Sequence, residues 1–154
     1  MSLEDFVVQT QAHIEKFGIS AVHVPAGDGD DEPPFAFSIG LFHRLQHPEI
    51  LIAGWFDQRT QHILLNLAAK LVLEGRALSD GDTADTVLQD LPVTFRRVAK
   101  ERVPEWLGSA CGFYGHDHFG ALQCVLPDAE GRFPWDEGVT VEELGGQPAL
   151  WEPV

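Results

Sequence analysis

The chain of 154 residues carries a formal net charge of −14, with only ten Lys and Arg against 24 Asp and Glu, and 44% of its residues are hydrophobic. This length and apolar fraction are typical of a single globular domain with a real core, and they argue against disorder. The scarcity of basic residues argues against binding to nucleic acid or to an anionic membrane surface, because both need clusters of Lys and Arg.

The N-terminal sequence lacks the basic segment and apolar segment of a secretory signal peptide. No apolar stretch approaches the ~20 residues that are needed to cross a bilayer. The two cysteines, Cys111 and Cys124, do not form a CxxC pair and are expected to be free and reduced. These features predict a cytoplasmic protein.

The N-terminal half begins with a helix and continues with strands. Residues 3–17 have apolar residues at helical spacing, with Ser2 as the N-cap and Gly18 as the terminating residue. A turn-rich acidic loop follows at 26–34, and a loop or short helical turn is predicted at 43–49. Around these loops, strands are predicted at 19–24, 35–42 and 49–55.

The strongest helix signal begins at the N-cap Asp57 and continues through Glu74. Helical spacing predicts that its buried stripe consists of Ile63, Leu64, Leu67, Ala68, Leu71 and Val72. Later elements are predicted as a short strand near Ala77, a strand at 93–98, a short helix in 103–114 interrupted at Gly108 and Gly112, and a strand at 119–126. Three apolar residues of the tail are expected to pack back on the body: Leu144, Leu150 and Trp151.

This order of elements predicts an α+β domain. We expect a mainly antiparallel β-sheet with the N-terminal helix and one long central helix packed on it. Short strands with glycine at their ends leave a half-closed barrel open as an alternative. A single domain spans 1–154 in this interpretation, with the helical segment at 1–18, the core at 19–136 and a packed tail at 137–154.

Two unusual strings join strand-like runs to groups of His, Pro, Gly, Trp and acidic residues. They are PFAFSIGLFH at 34–43 with HPEILIAG at 47–54, and ALQCVLPD at 121–128 with GRFPWD at 131–136; LLNLA at 64–68 and FYG at 113–115 accompany them. Through these residues the chain resembles the bacterial family DUF4262 over about residues 18–140, although Leu126 stands where the family favours Trp. The resemblance implies a small bacterial cytosolic domain and no particular reaction.

The order of strands, Pro turn and LLNLA helix is also similar, at the level of the fold, to that of flavin-binding split barrels. Those proteins are typically homodimers with flavin at the interface. The resemblance implies a flavin cofactor and a homodimer as alternatives, by analogy of fold.

Four histidines predict a candidate metal site. His43 and His47 are spaced so that one helical turn would place both imidazoles on one face, and His116 and His118 flank Asp117. Two imidazoles with a carboxylate would suit zinc or ferrous iron. The structural alternative is that these imidazoles cap turns and bind backbone carbonyls, since Pro48 prevents a regular helix through Glu49.

The same strand ends predict a pocket for a small molecule, walled by the loops 43–49 and 128–136. The candidate ligand-binding residues are His43, Arg44, His47, Glu49, Gln123, Asp128, Arg132 and Trp135. The structural alternatives are that Asp128 forms a turn, that the arginines pair with nearby acids and that Trp135 is a packing anchor.

Two classes of function remain open. One is a protein that binds a small molecule or metal, with or without catalysis, since no catalytic motif such as GxSxG or a P-loop is present. The other is an acidic interaction module, of immunity or regulatory type, that binds a basic protein partner. Convergence of the two histidine-containing segments on a pocket would favour the first, and a continuous acidic face around an apolar patch would favour the second.

Overall fold

The structure, a computed structural model, describes residues 2–140 and 142–154 and builds them around one six-stranded sheet. The strands are β1 (Ser20–Val24), β2 (Phe35–Ile39), β3 (Glu49–Ala53), β4 (Thr83–Ala84), β5 (Val93–Arg97) and β6 (Ala121–Val125). The helices are α1 (Leu3–Phe17), α2 (Leu41–Leu45), α3 (Gln58–Leu73), α4 (Val103–Trp106) and α5 (Gly108–Tyr114), and short 3₁₀ turns span Lys100–Arg102 and Glu142–Leu144.

The sheet is mixed, in the order β1-β2-β3-β6-β5-β4. Four strand pairs are antiparallel and the central β3–β6 pair is parallel, which confirms an α+β fold with a mainly antiparallel sheet. Because β1 and β4 are the two open edges and β4 has only two residues, the terminal strands do not pair. The half-closed barrel is therefore wrong, and the analogy to flavin-binding split barrels loses its structural basis.

Helices cover both faces of the sheet. The α3 side chains pack on one face against residues such as Ile50, Ile52 and Leu122. On the other face, residues from α1, α4, α5 and the C-terminal segment pack against neighbours such as Phe37 and Leu51. Since successive residues of a strand point to opposite faces, the central strands β3 and β6 serve both cores, which is why all their residues are buried.

Helices α1 and α3 begin as the sequence predicts. The Asp5 N–H donates to the Ser2 hydroxyl (3.1 Å) at α1, and the Thr60 N–H donates to the Asp57 carboxylate (2.7 Å) at α3. Gly18 ends α1 with a positive φ of 92°. Capping residues thus fix both boundaries locally.

The predicted buried stripe of α3 is wrong at one edge. Ile63 is 47% exposed, whereas Gln61, Leu65 and Ala69 are buried against the sheet. Gln61 is accommodated there because its amide donates to the backbone carbonyls of Pro34 (2.9 Å) and Gly54 (3.1 Å). A buried polar side chain with both donors satisfied has shifted the contact face by about one position.

Three further boundaries differ from the sequence predictions. Ala77 lies outside any strand, and the short strand is β4 instead. The helix in 103–114 breaks at Leu107, while Gly112 lies within α5. Strand β2 ends at Ile39 because Gly40, with φ of 135°, turns the chain directly into α2.

The C-terminal segment is anchored to the central sheet. Leu144 and Leu150 are buried, and Gln123 of β6 donates to the Pro148 carbonyl (2.8 Å) and accepts from the Leu150 N–H (3.2 Å). Within the described residues, no helix has both the length and the apolar character of a bilayer-spanning segment.

Candidate functional site

The parallel pairing of β3 with β6 decides which predicted loops meet. Glu49 is in register with Ala121, so the chain preceding β3 and the chain preceding β6 lie at the same end of the sheet. The two histidine-containing segments therefore converge there: the Phe42 ring lies 5.8 Å from the His116 ring, and the His43 ring lies 6.3 Å from the Phe113 ring, between centroids. The loop 128–136 follows β6 and leaves from the opposite end, roughly 16 Å away along a five-residue strand. The loops 43–49 and 128–136 thus do not face each other across one pocket.

Glu49 is the centre of a buried network at this convergence. Its carboxylate is fully buried and accepts hydrogen bonds from five donors. These donors are Ser38 Oγ (2.8 Å) and Leu41 N (3.2 Å) to Oε1, and Gly40 N (3.1 Å), Phe42 N (3.2 Å) and the Tyr114 hydroxyl (2.5 Å) to Oε2. Since every partner donates, the arrangement matches an acceptor-only carboxylate.

The network joins the consecutive elements β2, α2 and β3 to the end of α5, which lies 65 residues beyond Glu49. Ser38 also accepts from the Ile50 N–H (2.9 Å), and the Tyr114 hydroxyl accepts from Gly40 N (3.1 Å) and His43 N (3.3 Å). Burial raises the pKa of Glu49 against the opposing effect of its hydrogen bonds, and burial together with the Glu49 carboxylate raises the pKa of Tyr114. Glu49 has no exposed surface, and its hydrogen bonds connect β2 and α2 to α5.

His47 has both ring nitrogens engaged in structural hydrogen bonds. Its Nε2 accepts from the Leu78 N–H (2.9 Å), so Nδ1 carries the proton and donates to the Pro48 carbonyl (2.7 Å). The other three predicted ligands, His43, His116 and His118, are exposed. Across residues 2–140 and 142–154, no group of three or more His, Cys, Asp or Glu has the geometry of a metal site. The metal site predicted at these four histidines therefore stays a prediction, because their side chains do not form such a group among the described residues.

Four other predicted ligand-binding residues make structural contacts. Arg44 donates to the Ile14 carbonyl (3.3 Å), and Gln123 anchors the C-terminal segment. The Asp128 carboxylate forms a turn by accepting from the Arg132 N–H (2.8 Å) and the Arg132 guanidinium (2.9 Å). Arg132 reaches Glu143 as well (3.4 Å), so it joins the turn to the C-terminal segment.

Trp135, the last predicted ligand-binding residue, belongs to an aromatic group that holds Arg96. It is 43% exposed, stacks on Phe133 with centroids 5.2 Å apart and meets Trp151 edge to face at 5.5 Å. The Arg96 guanidinium lies 4.8 Å from the Trp135 ring and 5.3 Å from the Trp151 ring. Cation–π contacts of this kind fix the guanidinium in place.

A cleft of about 400 Å³ opens beside this group, where β5 ends and the segment before β6 begins. Its charged lining consists of the cations Arg96, Arg97 and Lys100 and the carboxylates Asp80 and Asp117, with His118 alongside. Trp151 forms an aromatic wall and Gly120 a backbone wall. Three of the ten Lys and Arg of a strongly acidic chain therefore line one concavity.

The three cations differ in their partners. Arg96 is paired with Asp80 (3.2 Å) and held by the tryptophans. In the part of the chain that the structure describes, neither Arg97 nor Lys100 has an ion-pair partner within 4.0 Å, and the Arg97 backbone rather than its side chain binds Asp80 (2.7 Å). The Arg97 guanidinium lies against Gly120, where a Cβ would come within 2.4 Å of it, so only glycine allows this approach.

The family of the chain follows from a comparison with family models. A model described as a domain of unknown function, DUF4262, matches residues 13–140. The chain belongs to this family. The match contains the whole Glu49 network and most of the cleft, whereas Trp151 lies beyond it. No curated protein and no solved structure matches the chain.

A second concavity of the DUF4262 domain, about 570 Å³, lies between α1, β1 and α3. We call it the imidazole pocket, because His13, His23 and His62 line it above an apolar base. His23 Nε2 and His62 Nδ1 are 3.0 Å apart, and Asn66 Nδ2 lies 3.0 Å from His62 Nε2. Burial, and secondarily His62, lowers the pKa of His23. Sequence reasoning missed these residues because they lie on three elements and have no motif spacing.

Proposed function

We propose that this DUF4262 domain binds a small anionic molecule, carrying a carboxylate or phosphate group, in the cleft between β5 and the segment 117–120. The observation that carries the proposal is that three of the ten Lys and Arg of this acidic chain line one concavity, and that two of them, Arg97 and Lys100, have no ion-pair partner among the described residues. Surface cations in an acidic protein gain from nearby carboxylates. Asp80 and Asp117 line the cleft as well, yet Arg97 and Lys100 form an ion pair with neither, which favours an external anion.

The chemistry of the lining supports an anion with an apolar or aromatic body. A guanidinium presents a planar fork of donors that matches carboxylate and phosphate oxygens, and an ammonium adds a mobile point charge. The Trp151 ring supplies a flat apolar wall at the same cleft. A volume of about 400 Å³ is within the ordinary range for pockets that bind small molecules.

The surroundings make the cleft preorganised. Arg96 is fixed by Trp135, Trp151 and Asp80, and Asp80 also binds the backbone N–H of Arg97. The Glu49 network holds the end of α5 from which the segment 115–120 departs. Binding therefore requires little ordering of the protein, which favours affinity. We propose binding alone and assign no reaction to the cleft.

The test is a calorimetric titration of untagged protein with benzoate and, separately, with inorganic phosphate. We expect saturable binding of at least one probe, with a dissociation constant on the order of 1 mM, or about −4 kcal/mol, for so small a molecule. The double variant Arg97→Gln/Lys100→Gln should lose about tenfold or more in affinity, because both charge-assisted contacts are removed.

The matched control is Lys16→Gln/Arg59→Gln, which removes the same charge from two exposed residues outside the cleft. We expect this control to bind both probes as the unaltered protein does. If both double variants weaken the binding of the probes equally, the loss is caused by the change in net charge, and the proposed site is refuted.

A further inference from the structure

We propose that His23 Nε2 and His62 Nδ1 bind a divalent transition-metal ion of the class of Cu²⁺ and Ni²⁺ at the imidazole pocket. The two nitrogens share a hydrogen bond at 3.0 Å, and a metal ion would take the place of its proton. Two nitrogens that each lie ~2.0–2.1 Å from one metal are separated by about 2.9 Å at a right angle and about 3.3 Å at a tetrahedral angle. The spacing of the hydrogen-bonded pair is close to the right-angled arrangement of tetragonal Cu²⁺ and Ni²⁺, so a small movement of the two rings would admit such an ion.

The two imidazoles are carried by regular elements that pack together. His23 is in the middle of β1, and His62 is in the second turn of α3. Sites on strands and helices hold their ligands more closely than sites on loops. His62 is exposed and His23 partly buried, so an ion can reach the pair from solvent.

Asn66 orients the outer side of His62. Its amide lies 3.0 Å from His62 Nε2, opposite the nitrogen that faces His23. The Asn66 Nδ2 group donates to His62 Nε2, which places the proton of a neutral His62 on Nδ1 in the metal-free pair. Metal binding at Nδ1 therefore requires this proton to move to Nε2 and the Asn66 amide to rotate so that its oxygen accepts it.

The remaining coordination positions face the pocket of about 570 Å³. Water or an oxygen-donor ligand would occupy them, because no third His, Cys, Asp or Glu of the described residues joins the pair. The site is independent of the anion-binding cleft: β1 and β5 are separated by β2, β3 and β6, roughly 19 Å across the sheet.

The test is a calorimetric titration of the untagged full chain with Ni²⁺ at pH 7, with Cu²⁺ EPR as an independent readout. We expect one saturable Ni²⁺ site per chain and a Cu²⁺ spectrum with two nitrogen ligands. His62→Gln and His23→Gln should each weaken Ni²⁺ binding about tenfold or more, and Asn66→Leu, which keeps both imidazoles, should weaken it by a smaller factor.

The control is the double variant His116→Gln/His118→Gln, which removes the two neighbouring imidazoles at the other end of the domain. It should bind Ni²⁺ normally. Melting of each metal-free variant identifies any that fails to fold, and the exposed position of His62 makes His62→Gln the decisive one. Absence of saturable binding, full binding by His62→Gln, or loss of binding in the control would each overturn the proposal.

Discussion

Replacing Glu49 by glutamine keeps the size of the buried side chain but removes its charge and one of its two acceptor oxygens. The carboxylate accepts two donors on Oε1 and three on Oε2. Whichever way the new amide is oriented, its NH₂ group faces donors. The better orientation places NH₂ at the Oε1 position, where Ser38 can rotate its hydroxyl to accept but the Leu41 N–H cannot.

The expected cost follows from the number of donors left without an acceptor. A buried donor that loses its partner costs about 1–3 kcal/mol, and a hydrogen bond to a charged group contributes more than a neutral one. One or two orphaned donors, with the remaining contacts weakened, predict a loss of about 2–5 kcal/mol in the free energy of unfolding at pH 7. For a domain with about 5–15 kcal/mol of stability, this is a large fraction.

The same residue predicts a dependence on pH. Burial raises the pKa of Glu49 above its ordinary value of 4.5, so between the two pKa values the folded state binds more protons than the unfolded state. Its contribution is therefore present below pH 4.5 and is lost as the pH rises through the folded pKa. The difference in the free energy of unfolding between the native protein and Glu49→Gln should accordingly narrow as the pH rises above 4.5.

Urea unfolding followed by circular dichroism measures both effects. The matched control is Glu137→Gln, an exposed residue for which we expect a change within about ±0.5 kcal/mol. A Glu49→Gln variant as stable as this control at pH 7 would refute the role assigned to the network, and a gap that widens with rising pH would contradict the raised pKa of Glu49.

Two further variants test the hydrogen bonds of this network and the packing of the C-terminal segment. Tyr114→Phe removes the hydroxyl that donates to Glu49 and accepts from Gly40 and His43, so urea unfolding should show a loss of about 1–3 kcal/mol, smaller than that of Glu49→Gln; an unchanged midpoint would contradict this. Leu150→Ala should cost about 2–5 kcal/mol because Leu150 is 1% exposed, whereas Val154→Ala, at an 83% exposed position, should be neutral; equal effects would show that the C-terminal segment does not complete the core.

Elements whose signals are local could be predicted from the sequence. The caps Ser2 and Asp57 located α1 and α3, and apolar runs located β2, β3 and β6, because capping and strand periodicity depend on neighbouring residues. The buried face of α3 could not be assigned correctly, because Gln61 finds its acceptors at Pro34 and Gly54, which only the folded chain brings to it. Two-residue β4 carries no periodicity at all.

The site was harder to predict because it depends on contacts between distant residues. The sequence singled out Glu49 as a ligand-binding residue because it follows His43 and His47 at a predicted strand end, yet five donors satisfy it in the interior. Arg97 and Lys100 were indistinguishable from ordinary surface cations until the pairing of β5 with β6 placed them beside the segment before β6. His23 and His62 lie 39 residues apart, so their contact has no sequence signature.

The location of a bound anion tests the central claim most directly. Titration of ¹⁵N-labelled protein with benzoate, followed by two-dimensional NMR, reports which backbone amides respond. We predict saturable shifts concentrated at residues 97–100 and 117–120 and at the Trp151 indole N–H, and their loss in Arg97→Gln/Lys100→Gln. Shifts that are absent, that fall elsewhere on the domain, or that persist unchanged in the double variant would contradict an anion-binding cleft.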